Sequence, residues 1–142
     1  MFEEVKMRTI SLLTAGIALA SCSTAPPGPP PPPSPKAQME FARATEGKVP
    51  GAPISCLQHY NTNDQTTIDS HTLAMRAGSA TTYIVHLTDG CEMLDHGPYA
   101  LVSRQYGGMG LCRGDIQSVV DTLNRSNMGS CTIAEIIPYS RR

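Results

Sequence analysis

The densest group of chemically competent side chains lies between Asp89 and His96, where Asp89, Cys91, Glu92, Asp95 and His96 share one short segment. Converging carboxylates and an imidazole could hold a divalent ion or exchange protons as acid and base. Acids in turns have an ordinary role as well: they bond nearby amides and stay solvated, and this reading needs no further function. The four histidines, His59, His71, His86 and His96, are widely separated. None has the His-x-x-x-His or His-Glu-x-x-His spacing that sets two ligands on one helix face. Spacing therefore points to no metal and no cofactor. No serine sits in Gly-x-Ser-x-Gly, and Ser103, Ser118 and Ser126 have ordinary flanks. Gly107-Gly108-Met109-Gly110 lacks the Lys-Ser/Thr of a phosphate loop and reads as a hairpin turn. Arg113-Gly114-Asp115 matches an adhesion tripeptide but reads more simply as a turn leading into Ile116. No catalytic constellation emerges, and the chain is not read as an enzyme.

Whether the cysteines act as thiols depends on the compartment, and the amino terminus addresses that. Ile10 to Ala20 is apolar but only about half the ~20 residues a spanning helix needs, which is the length of a signal-peptide hydrophobic region. It runs directly into Leu19-Ala20-Ser21-Cys22, which resembles the lipobox of bacterial lipoproteins. The resemblance implies that residues 1–21 are a signal peptide, that cleavage precedes Cys22, and that Cys22 carries a diacylglyceryl thioether and an acylated amino group. At about 0.8 kcal/mol per buried methylene, two or three acyl chains of the palmitate type would hold the protein firmly to a membrane. Ser23 stands where the inner-membrane retention signal has Asp, which implies the outer membrane, facing the periplasm. Glu3 and Glu4 fit poorly as the basic start of a signal peptide, whereas Met7-Arg8-Thr9 fits well, so the expected start is Met7. The competing reading is a secretory signal cut after Ala20 or Ala25, with Cys22 incidental.

The elements that follow would position whatever chemistry the chain has. Pro26 to Pro35 holds eight of the 12 prolines and should form an extended polyproline rod. Residues 22–36 are thus the lipidated cysteine and a proline-rich linker, and at about 3.1 Å per residue Ser23 to Lys36 could hold the rest on the order of 40 Å from the lipid. Residues 37–52 read as a short helix or linker, with Met39 and Phe41 apolar and Gly47 suited to stop it. Pro50-Gly-Ala-Pro53 marks the boundary of a domain over 53–142. There, runs of Thr, Ile, Val and Tyr separated by Gly, Asn and Asp predict a mainly β fold, a small antiparallel sheet or partly open barrel of about six strands. The expected strands are 54–60, 71–77, 81–87, 99–106, 115–121 and 131–139, with Gly78-Ser79 as a hairpin turn. Residues 117–124 are equally compatible with one or two helical turns.

Apart from Cys22, four cysteines remain: Cys56, Cys91, Cys112 and Cys131. In an oxidising periplasm they read as two disulfides, and a thiolate nucleophile is disfavoured for the same reason. Three pairings are possible. The expected one nests Cys91–Cys112 inside Cys56–Cys131, the outer bond tying the first strand to the last. Ile54-Ser-Cys56-Leu, Thr72-Leu-Ala-Met-Arg76, Thr82-Tyr-Ile-Val-His-Leu87, Gly90-Cys91 and Leu111-Cys112-Arg-Gly-Asp115-Ile together resemble the domain of unknown function DUF6491. The similarity spans about Pro53 to Ile137, and its most specific element is Leu-Cys-x-Gly-Asp-Ile with the four-cysteine spacing. It implies a small exported proteobacterial protein with a β domain and brings no known activity. After Cys131 the chain continues Thr132-Ile-Ala-Glu-Ile, where that family usually has a glycine and a short aromatic-bearing strand.

Formal net charge is −1, and the basic residues form no block, so nucleic acid is not an expected partner. With no tryptophan, two phenylalanines and five tyrosines, stacking platforms for sugars are scarce. The expectation is a membrane-anchored envelope lipoprotein that presents a small β domain to another envelope protein or a cell-wall component. The alternative is a periplasmic enzyme or thiol-redox protein using the loop acids, histidines or cysteines.

Overall fold

The computed structural model describes residues 31–58, 64–103 and 110–142. The expected signal peptide, Cys22 and most of the proline segment lie outside the described residues, as do the ends of the expected strands at 54–60 and 99–106, His59, and residues 107–109 of the expected glycine turn.

The first element is a helix, α1 (Pro35–Ala44). Ser34 caps it by accepting a hydrogen bond from the Ala37 amide at 3.1 Å, and proline occupies its first turn, where the missing N–H has no helical partner to lose. The helix is not a separate linker. Ala37 and Ala44 are buried against Ile68, Ala74 and Ile84 of the sheet, and Phe41 packs edge-on against Tyr139 with ring centroids 5.8 Å apart. The compact unit accordingly begins at Pro32, not at residue 53 as composition suggested. A short amphipathic helix is unstable alone and forms here because its small-residue face docks on a sheet. Ser34→Ala is expected to lower stability by about 1 kcal/mol, read as a lower urea midpoint with unchanged slope.

Among the described residues nine strands follow: β1 (Val49–Pro50), β2 (Cys56–Leu57), β3 (Gln65–Asp69), β4 (Thr72–Ala77), β5 (Thr81–Leu87), β6 (Tyr99–Ser103), β7 (Leu111–Cys112), β8 (Ile116–Asp121) and β9 (Asn127–Ser140). The main sheet is antiparallel and curled into a half-barrel, in the order β3-β4-β5-β9-β8-β6. Its organiser is β9, whose 14 residues serve both halves: 127–132 pair with β8, and 133–140 pair with β5. β1 pairs with the end of β9, and β2 with β7 form a separate two-stranded ladder. Residues 117–124 resolve as strand β8 plus a turn, not helix, because Gln117 and Val119 alternate inward on a ladder between β6 and β9.

Alternation along β4 and β5 fills two cores at once. Leu73, Met75, Val85 and Leu87 face the concave side with Leu57, Leu111, Val119, Ile133 and Ile136, while Ala74 and Ile84 face α1. Burial on both faces accounts for the run of buried residues Thr72 to Met75 in β4 and for adjacent Ile84 and Val85 both being buried in β5.

The disulfides join Cys56 to Cys112 and Cys91 to Cys131, so the expected nested pairing is corrected to an interleaved one. The first strand does reach the last, but through backbone at Ile54, which bridges Ile136. By Cys56 the chain has turned onto β7, where Cys56 lies directly opposite Cys112. Cys131 is left beside the loop after β5, which Thr88 holds to Thr132 through backbone and side-chain hydrogen bonds. Spacing alone cannot choose among three pairings; strand order does.

Candidate functional site

Curling leaves β3 and β6 as the two outer edges of the sheet, facing one another across an open side. Between them runs the loop from Thr88, which includes a single 3-10 turn at Glu92–Asp95. The turn packs against both edges and buries Leu94. Cys91, 1 % exposed and bonded to Cys131, fixes this loop to β9. Beside Leu94 an open groove of about 560 Å³ is lined by Gln65 and Thr67 of β3 and Tyr99, Leu101, Val102 and Ser103 of β6. Among the described residues, none that lines it is charged. At one end the Ser103 hydroxyl donates to the Oε1 of Gln117, whose side chain is wholly buried and whose Nε2 has no partner among the described residues.

At the start of the same loop three ligand-type side chains converge: His71, Asp89 and Glu92 each offer one atom, and these atoms lie within 4.8 Å of one another. His71 stands in the tight turn between β3 and β4. Its amide donates to the Asp69 carboxylate at 2.8 Å, and its carbonyl accepts from the Leu87 amide at 2.8 Å, so its backbone is fixed on both sides. Its Nδ1 lies 3.1 Å from the Ser70 hydroxyl. Its Nε2 lies 3.3 Å from Asp89 Oδ1, yet the atom is occluded from solvent and makes no aligned hydrogen bond. Glu92 accepts the Gly90 amide at 2.7 Å. That bond chiefly, then its own amide, hold its carboxyl below the ordinary range against an opposing desolvation, with His71 contributing least.

The loop residues singled out by type therefore divide. Asp89 and Glu92 join His71, which sequence spacing did not connect to them because β4 and β5 intervene. Asp95 and His96 pair with each other, and Cys91 is consumed in a disulfide. His86 lies elsewhere, beside α1 with Asp69 and Thr72. All four cysteines of the domain are bonded, which leaves no thiol for redox or nucleophilic chemistry among the described residues. Arg113 and Gly114 form a turn closed by the Asp115 carboxylate, which accepts the Cys112 amide at 2.7 Å, so that carboxylate is engaged within the domain.

A family model described as a family of unknown function (DUF6491) matches residues 5–142. The match takes in α1 and the segments before it, well beyond the similarity over 53–137. Comparisons with curated proteins and with solved structures give no match.

Proposed function

The chain belongs to the family of unknown function DUF6491, and from that premise we propose that it is a lipid-anchored protein of the bacterial envelope whose β domain serves as a binding module. The observation that carries the anchor is Leu19-Ala20-Ser21-Cys22 placed where the apolar stretch ends. Two disulfides in the domain agree with residence in an oxidising compartment. Lipid on Cys22, with Ser23 behind it, assigns the outer membrane, and the proline segment is the spacer that lifts the domain from the lipid. The binding role rests on the groove at the open side of the half-barrel, whose described lining is uncharged and where β3 and β6 end the described sheet and could receive an envelope protein or cell-wall component.

Expressing the full chain in a Gram-negative host tests the anchor. Wild-type protein is expected in the membrane fraction with the added mass of a diacylglyceryl group and an amide-linked acyl chain, and Cys22→Ala is expected in the soluble fraction without that mass. Wild-type protein lacking lipid mass, or Cys22→Ala remaining in the membrane, overturns the assignment.

A further inference from the structure

From the convergence of His71, Asp89 and Glu92 we infer a binding site for one divalent cation of the zinc type at the junction of the β3–β4 turn and the loop that spans the open side of the sheet. One imidazole nitrogen and two carboxylates form a donor set suited to borderline divalent ions. Three protein ligands leave a coordination position for water. The distances support it. Ligands about 2.0–2.1 Å from a tetrahedral zinc ion lie about 3.3 Å apart, which is the separation of His71 Nε2 and Asp89 Oδ1. The third donor is within 4.8 Å of both, and rotation of the exposed Asp89 and Glu92 side chains closes the remaining gap.

The outer contacts point the same way. Ser70 faces His71 Nδ1 at 3.1 Å; with that nitrogen protonated and donating to the hydroxyl, the lone pair falls on Nε2, the atom turned toward the carboxylates. Zinc-bound histidines are oriented in this manner. Nε2 is shielded from solvent and has no hydrogen-bond partner among the described residues, so a cation would satisfy an atom that they leave without a bond. Glu92 accepts the Gly90 amide at Oε1, which keeps its carboxylate at the start of the loop beside Asp89. The loop carrying both acids is tethered by the Cys91–Cys131 bond, so the two carboxylates are presented on a fixed base opposite a backbone-fixed histidine. The inference stands apart from the lipid anchor and from the groove.

Zinc alone is the probe. Detergent-solubilised full-length protein, stripped with chelator and dialysed against zinc, is expected to retain one ion per chain by elemental analysis. Cobalt substitution should give the visible absorption of a low-coordinate site. His71→Gln and Asp89→Asn should each weaken zinc retention by at least the ~10–100-fold that loss of an outer-shell partner produces. Asp89 has a side chain 98 % exposed, so its amide variant keeps the fold and the result stays readable if His71→Gln does not. Glu135→Gln, on β9 and outside the cluster, should bind as wild type. Absence of stoichiometric zinc, or zinc retained unchanged by Asp89→Asn, overturns the site.

Discussion

Replacing Cys91 and Cys131 together by Ala is expected to lower the stability of the domain by about 4 kcal/mol, seen as a large drop in the urea midpoint. The bond closes a loop with a sequence separation of 40, for which the chain-entropy relation gives about 4 kcal/mol through the unfolded ensemble. A domain of this size has only about 5–15 kcal/mol of net stability, so much of it depends on this one link. The Cys56–Cys112 bond closes a longer loop, with a separation of 56, and the same relation assigns it a similar value. The two should nonetheless differ in their local consequences. Cys91 and Cys131 are buried at 1 % and 4 % exposure inside the concave core, so their loss also leaves poorly filled volume. Cys56 and Cys112 are only half-buried, on a two-residue ladder. Removing the buried bond should also free the 3-10 turn from the edges of β3 and β6, giving faster amide exchange at Leu94 and His96 than removal of the other. A loss below about 1 kcal/mol, or equal exchange in the two variants, would refute this account of the loop.

Strands β4 and β5, rich in Thr, Ile, Val and Tyr and bounded by Gly78, are legible from residue type, as are the glycine turn between them and the β class of the domain. Local pattern decides those features. Other elements were invisible because their cause is remote. β7 is two residues long, and β3, Gln-Thr-Thr-Ile-Asp, buries only Ile68 fully, so neither carries a period long enough to read. α1 was expected as a marginal helix, and only its contacts with Ile68, Ala74, Ile84 and Tyr139 make it part of the domain. The long β9 absorbed the segment after Cys131 where the family pattern differs, carrying Tyr139 to its far end against Phe41. The site followed the same rule. The acids of the loop could be read from their spacing, but His71 reaches them only because a hairpin of two full strands returns the chain to the same end of the sheet.

Gly90→Ala should be the most damaging methyl addition in that loop, lowering stability by about 3 kcal/mol or more. Gly90 has φ +110°, where side-chain-bearing residues are strained by about 1–3 kcal/mol. A Cβ there would stand 2.0 Å from the Ser130 carbonyl oxygen, which is backbone of β9 and held by pairing with β8, so it cannot give way as a flexible side chain would. Overpacking of this kind typically adds about 1–3 kcal/mol. Gly78→Ala isolates the backbone contribution: Gly78 has φ +68°, but nothing lies within 4 Å of the added atom, so its variant should lose only about 1 kcal/mol. Urea unfolding of both variants measures the difference, and equal losses would show that contact with Ser130 contributes nothing. The displacement has a chemical consequence as well. The Gly90 amide orients Glu92, and Asp89 precedes it, so a loop pushed off β9 carries both carboxylates away from His71. Gly90→Ala should therefore weaken zinc retention along with stability, whereas Gly78→Ala, at the turn between β4 and β5, should leave zinc retention unchanged.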